Sequence, residues 1–229
     1  MSGEAPGAGR TAMLAAFTAG FVDTVGFVGL FGLFTAHVTG NFVLIGAALV
    51  THHTGIIAKL LALPAFILAV AATSLFLRHC RRTGRSPAAP LLLAEAVLLT
   101  AFMTLGLALG PFRDGDQPAV VLTGLTGVLA MGVQNAAART VFAHLSPTTV
   151  MTGNVTQIVL DVVGLTEGEV PRTEALGRIR KMAPPVAAFA MGAIAGGLGF
   201  AAVGFWCILV GVAAILAALA VNRSPGVPA

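Results

Sequence analysis

Few side chains in this chain could carry a charge or a proton through apolar surroundings. Asp23 lies inside the first apolar stretch, Glu95 within Leu93-Ala94-Glu95-Ala96, and Asp161 follows Asn154 and Gln157 at helical spacing. An ionisable group at membrane depth is costly and marks a functional position. Asp23, Glu95 and Asp161 are therefore the candidates for proton coupling. His37, two residues before Thr39-Gly40-Asn41, titrates near neutral pH when unperturbed. The triplet Thr-Gly-Asn recurs at Thr152-Gly153-Asn154. Each copy follows a polar cluster: Gly20-Phe21-Val22-Asp23 before the first, Gly132-Val133-Gln134-Asn135 before the second. A polar motif duplicated within hydrophobic sequence suggests a two-fold path for a solute. The substrate-binding set read from this pattern is Asp23, His37, Thr39, Gly40, Asn41, Gln134, Asn135, Thr152, Gly153, Asn154 and Gln157.

Each of these groups also has a purely structural reading. Asp23 could cap the helix after Thr39 and never change charge. His37 could serve only as a hydrogen-bonding group. Glu95 could pair with Arg139 or a nearby loop arginine, and Asp161 could be solvated near the end of its segment. His52 and His53 are a weak metal signal, and no metal site or cofactor is expected. The run Arg78-His79-Cys80-Arg81-Arg82 fixes orientation or attracts anionic lipid. The chain holds no His-Glu-x-x-His, no Gly-rich phosphate loop with lysine and no Gly-x-Ser-x-Gly elbow. The expectation is that it is not an enzyme.

The elements that must position these residues follow from composition. Of the 229 residues, 57% are hydrophobic and 10% charged, where a soluble domain carries about 25% charge. Six stretches, 11–33, 56–77, 88–110, 118–139, 183–200 and 203–221, are long enough to cross a hydrocarbon core of roughly 30 Å. Two more, 38–50 and 150–164, are apolar but short; a 13-residue helix rises only about 20 Å. Basic residues decide how to count them. If both short segments turn back, every lysine and arginine except Lys59 and Arg113 falls on one side, which the positive-inside rule makes cytoplasmic. The net charge of +4 is thus a matter of topology and does not point to nucleic acid. Cys80 and Cys207 are not expected to pair.

The predicted fold is an all-α membrane protein with six transmembrane helices, two re-entrant half-helices and 3+3 inverted repeats. Residues 1–10 form a disordered N-terminus, 11–112 repeat 1, 117–221 repeat 2 and 222–229 the C-terminal tail. Aligning Asn41 with Asn154 brings Gly20 onto Gly132 and Asp23 onto Asn135, and Phe66 with Ala69 resembles Phe189 with Gly192. Thr39 and Thr152 would cap the half-helices. The helix starts would present unpaired amides to each other in mid-bilayer, a setting for anions or polar neutral solutes. Gly192, Gly196, Gly197 and Gly199 are spaced for close helix contact.

Gly20-Phe21-Val22-Asp23 followed by Phe34-Thr35-Ala36-His37-Val38-Thr39-Gly40-Asn41 resembles the YoaK family of bacterial membrane proteins. Met131-Gly132-Val133-Gln134-Asn135-Ala136-Ala137 with Thr148-Thr149-Val150-Met151-Thr152-Gly153 resembles that family's second half. The family is a domain of unknown function. The resemblance implies a multi-pass protein of the bacterial inner membrane and names no substrate. The leading expectation is a transporter of a small polar or anionic solute, with the lipid bilayer and that solute as partners and a homo-oligomer open. Behind it stand a passive channel, then a membrane scaffold whose polar centre only stabilises packing, then an intramembrane enzyme.

Overall fold

The computed structural model describes residues 7–51, 54–149, 151–168 and 170–223. His52 and His53, and with them the weak metal signal, lie outside that set, as does all but a few residues of each predicted tail. Every regular element among the described residues is helical: α1 (Ala8–Gly29), α2 (Gly40–Thr51), α3 (Ile56–Thr83), α4 (Ala88–Leu109), α5 (Pro118–Arg139), α6 (Met151–Glu167), α7 (Arg172–Val203), a 3-10 turn (Gly204–Cys207) and α8 (Ile208–Arg223). Five stretches are long and apolar enough to cross a membrane: α1, α3, α4, α5, and the continuous run Arg172–Asn222 that contains α7 and α8.

Local chemistry sets the breaks. Pro118 opens α5, where its missing N–H costs nothing. Gly84 closes α3 in the left-handed region, its N–H bonded to the carbonyl of Cys80. At the end of α7, Gly204 takes φ 58°, which other residues rarely adopt. Phe205 then turns inward against the edges of Phe102, Phe112 and Phe200, and α8 starts back. Two boundaries differ from the sequence reading. The first helix stops at Gly29 instead of reaching residue 33, because Phe31 and Gly32 take positive φ and reverse the chain. The helix expected over 183–200 begins at Arg172. Its first turns carry charged residues that hydropathy rejects but helix geometry accepts.

Close approaches fix the directions. Gly192 and Gly196 lie against the backbone of Phe17 and Phe21, so α7 runs parallel to α1. The bond from Asn222 Nδ2 to Thr11 Oγ1 (2.9 Å) and the approach of Gly211 to Thr18 and Val22 make α8 antiparallel to α1. Gln134 Nε2 bonds the carbonyl of Ala15 at 2.9 Å, while Gly124 meets Leu30 and Leu33, so α5 is also antiparallel to α1. Gly132 packs on Phe66 and Ala69, and Leu77 clusters with Ala137, which sets α3 parallel to α5. Leu91 joins that same cluster and Phe102 meets Gly127, so α4 points with α1. The six long helices thus stand three in each direction. The starts of α1 and α7 and the ends of α3, α5 and α8 gather at one end of the bundle. That end holds every lysine and arginine except Lys59 and Arg113, and is called the basic end below.

The short helices leave and return at one end each. Lys59 Nζ donates to the carbonyls of both Phe31 (2.7 Å) and Gly55 (3.0 Å), so the chain departs at Phe31 and comes back beside it at Gly55. Between those points lies α2, 12 residues long, about 18 Å. Its packing is against α3. The longer α6 packs against α7 and joins the end of α5 to the start of α7, both at the basic end. The interior of the bundle is apolar, with Phe21, Val25, Leu33, Leu99, Phe102, Met131 and Ile208 buried. Outward faces keep Val43, Val50, Ile194 and Leu198 exposed, as lipid-facing helices do.

Candidate functional site

The leg that descends from α1 to α2 is held by one carboxylate. Asp23 Oδ1 accepts the backbone N–H groups of Thr35 and Ala36, both at 2.7 Å, with the Thr35 hydroxyl at 3.3 Å and the His37 N–H at 3.4 Å. Oδ2 faces His37 Nδ1 at 2.6 Å. Three successive amides pointing at one oxygen form an anion-binding concavity, and here the chain's own side chain fills it. A carboxylate ringed by donors is acceptor-only, so His37 Nδ1 carries the proton in this bond. The Asp23 side chain is buried, and that of His37 is 41% exposed, with its ring edge-on to Phe34 and Phe189. The group open to exchange is thus the imidazole.

Asn41 completes this clasp. Its Oδ1 accepts the N–H of Phe34 (3.0 Å) and its Nδ2 donates to the carbonyl of the same residue (2.9 Å). The side-chain amide mimics a neighbouring backbone strand and ties the start of α2 to its own descending leg. In the second half, Asn154 Nδ2 donates to the carbonyl of Pro147 at 2.9 Å, again seven residues back. Proline has no N–H, so the reciprocal bond cannot form. Asn135 Oδ1 accepts the Thr149 hydroxyl (2.7 Å) where Asp23 accepts amides. Gln134 Nε2 bonds Ala15 and the Thr148 hydroxyl (3.3 Å).

The remaining sequence candidates fall elsewhere. Gly40 starts α2 and Thr39 precedes it, with Thr39 exposed and Gly40 half-buried. Thr152 and Gly153 are exposed and lie inside α6, which begins at Met151. Thr152 therefore does not cap that helix, since a residue already in helical geometry cannot occupy the flanking position. Asn154, Gln157 and Asp161 share one face of α6, as their spacing requires. Asp161 is buried, not solvated. The Arg178 guanidinium grips both its oxygens (2.6–3.0 Å), Gln157 Nε2 adds a bond at 3.1 Å, and Arg178 reaches on to Glu174 at 2.6 Å. Glu95 has no arginine partner among the described residues: Arg139 is exposed, and Glu95 Oε1 is buried without a hydrogen bond.

Cavities open from the basic end. A broad one of about 550 Å³ is lined by Ser146, Pro147, Gln157, Arg178 and Lys181. A second, about 130 Å³, shares Leu145, Ser146 and Lys181 with it and adds Ala12 and Arg180. A third, about 20 Å³, shares Ala12, Leu145 and Ser146 with the second and reaches Glu95, Gln134 and Thr148. The sequence reading passed over Ser146, Arg178 and Lys59. Lys59 and Asp116 tie the loops at the opposite end: Asp116 accepts the N–H groups of Gly55 (3.0 Å) and Ile57 (2.8 Å), and Lys59 bridges Phe31 and Gly55. A lysine four residues into an apolar helix was the signal available for that closure.

The motifs that build these two clasps have known counterparts. The model of a family described as "Protein of unknown function (DUF1275)" matches residues 11–221. The chain belongs to this family. Among DUF1275 relatives, the UPF0700 transmembrane protein YoaK of Bacillus subtilis (strain 168) is 31% identical over 152 residues, covering 66% of this chain and 65% of that protein. The match spans just under two thirds of that relative's length. No solved structure matches. Both DUF1275 motif blocks named above, around Asp23 and around Gln134, fall within the matched residues, so the family resemblance read from them stands.

Proposed function

We propose that this DUF1275 protein is a transporter of a small polar or anionic solute in a bacterial inner membrane. In this reading α1, α3, α4, α5, α7 and α8 span the bilayer, and α2 and α6 dip in and turn back. The halves 11–112 and 117–221 are inverted repeats. Support comes from their crossed packing: Gly20 of α1 meets Phe189 and Ala193 of α7, and Gly132 of α5 meets Phe66 and Ala69 of α3. The basic end is cytoplasmic by charge, with both termini there. The chain is read as a carrier and not as an enzyme.

One observation carries the transport reading. The cavities share walls in sequence from a vestibule beside Arg178 and Lys181 toward Glu95 and Gln134, and at the far end Lys59 and Asp116 tie the backbone of Phe31, Gly55 and Ile57 together, which we read as the closed side. Access from one side only is what alternating access requires of a resting conformation. A channel at rest in an open state would be continuous, and a scaffold has no need of a vestibule. The basic lining favours an anionic or polar solute. The scaffold reading has its own support in the Asp23 clasp, whose donors are fully engaged.

Uptake by proteoliposomes across a panel of small anions and polar neutral solutes tests the proposal. The expected result is saturable uptake of one class, lost in Arg178→Ala and diminished in His37→Ala. Uptake indistinguishable from empty liposomes across the panel would favour the scaffold.

A further inference from the structure

Three buried side-chain atoms lack any hydrogen-bond partner among the described residues: Glu95 Oε1, Gln134 Oε1 and Ser146 Oγ. Buried polar atoms are paired as a rule, and each exception asks for an explanation such as an unplaced water or a functional role. Here all three residues line the same cavity of about 20 Å³. Their exposures are 1%, 3% and 4%. Gln134 cannot turn to satisfy itself. Its amide hydrogens already go to Ala15 and to the Thr148 hydroxyl, which leaves its carbonyl oxygen as a free acceptor. The cavity is thus walled by polar oxygen atoms without partners among the described residues.

Charge narrows the choice of occupant. Glu95 is the one titratable residue among the described residues lining the cavity, whose walls come from α1, α4, α5 and the loop Phe142–Thr148. The neighbouring Arg10, Arg139 and His144 are exposed. From α8, packed on α4, no charged residue faces it between Ile208 and Asn222. Asp23, farther along α1, is engaged by its own amides and His37. A carboxylate left ionised in such a place would have no counter-charge among the described residues lining it. A hard metal cation takes six or more oxygens, and the side chains here offer Glu95, Gln134, Ser146 and Thr148. A water needs two to four polar partners and a space of about 10–15 Å³. The cavity meets that requirement.

We propose that this chamber is a proton-binding site, in which Glu95 holds a proton as the neutral acid and one water links its carboxyl to Gln134 Oε1 and Ser146 Oγ. On release, the Glu95 O–H bond breaks, the electron pair stays on the carboxylate, and the water accepts the proton and passes it by way of Ser146 to the vestibule. Uptake reverses these steps. The site is separate from the Asp23–His37 clasp, and its existence does not depend on any solute being carried.

Infrared spectroscopy on the purified full-length protein in lipid nanodiscs tests this directly. Wild type at neutral pH should give a protonated-carboxyl C=O band that is lost in Glu95→Gln and kept in Asp23→Asn. In Ser146→Ala the band should persist and shift, because the water-mediated bond to the carboxyl changes; this variant serves if Glu95→Gln fails to fold. No such band in wild type, or a band unchanged in both Glu95→Gln and Ser146→Ala, overturns the proposal. So does loss of the band on adding sodium chloride at constant pH, which would make the chamber a cation site. None of these readings requires a transported solute, so they can fail while uptake succeeds, or the reverse.

Discussion

The Asp23 carboxylate does the work of a structural brace, and among the described residues His37 is its only side-chain partner with solvent-accessible surface. The two residues should therefore respond differently to substitution. Asparagine at position 23 keeps one oxygen for the Thr35 and Ala36 amides but turns a donor toward the His37 ring. Hydrogen bonds to a charged group contribute about 1.5–3 kcal/mol, so Asp23→Asn should lower stability by about that much. His37→Ala, which leaves the amide bonds intact, should cost clearly less. Thermal unfolding of both variants in detergent checks the order, and equal losses would mean that the contact to His37, lost in both variants, matters more than the charge on the amide cradle. At this scale the sequence was informative where partners are close along the chain. Asp23, His37 and Asn41 fall within one loop closure, and their importance could be read from their spacing. Arg178 for Asp161, and Ser146 with Gln134 for Glu95, are matched by folding, and no local pattern announces them.

At the scale of elements, two glycines carry the packing of the long helices. A methyl group at Gly20 would run into the carbonyl of Phe189, which cannot move without disturbing α7. One at Gly132 would run into the Ala69 side chain. Overpacking of this kind costs typically about 1–3 kcal/mol. Gly20→Ala and Gly132→Ala should both lower the unfolding temperature. Adding Ala69→Gly should restore the second and leave the first unrepaired. If Ala69→Gly rescues neither, the α3–α5 contact is not as close as described. The contacts of Gly20 with Phe189 and Ala193, and of Gly132 with Phe66 and Ala69, involve positions that the internal alignment set side by side, because small residues at a helix crossing leave a trace in sequence. The start of α7 was not, since hydropathy reports where lipid begins and says nothing of where hydrogen bonding does. Thr152 misled for a related reason. A motif repeated in sequence need not keep its register against the helix start, and α6 begins two residues earlier relative to its Thr-Gly-Asn than α2 does.

For the whole molecule, the composition and the placement of basic residues were enough to expect an apolar helical bundle with one positive end. They could not tell which cavities exist, because those depend on side chains from four separate segments meeting at Ser146. The account as a whole depends on where the short helices begin and end. Single cysteines at Thr51 and Thr166, in a background carrying Cys80→Ser and Cys207→Ser, can be labelled from either side of right-side-out vesicles with a reagent that does not cross the membrane. The dipping arrangement predicts that the cysteine at 51 reacts from outside and the one at 166 only from inside. Reaction of both from the same side would contradict it, and with it the inverted repeats and the one-sided vestibule.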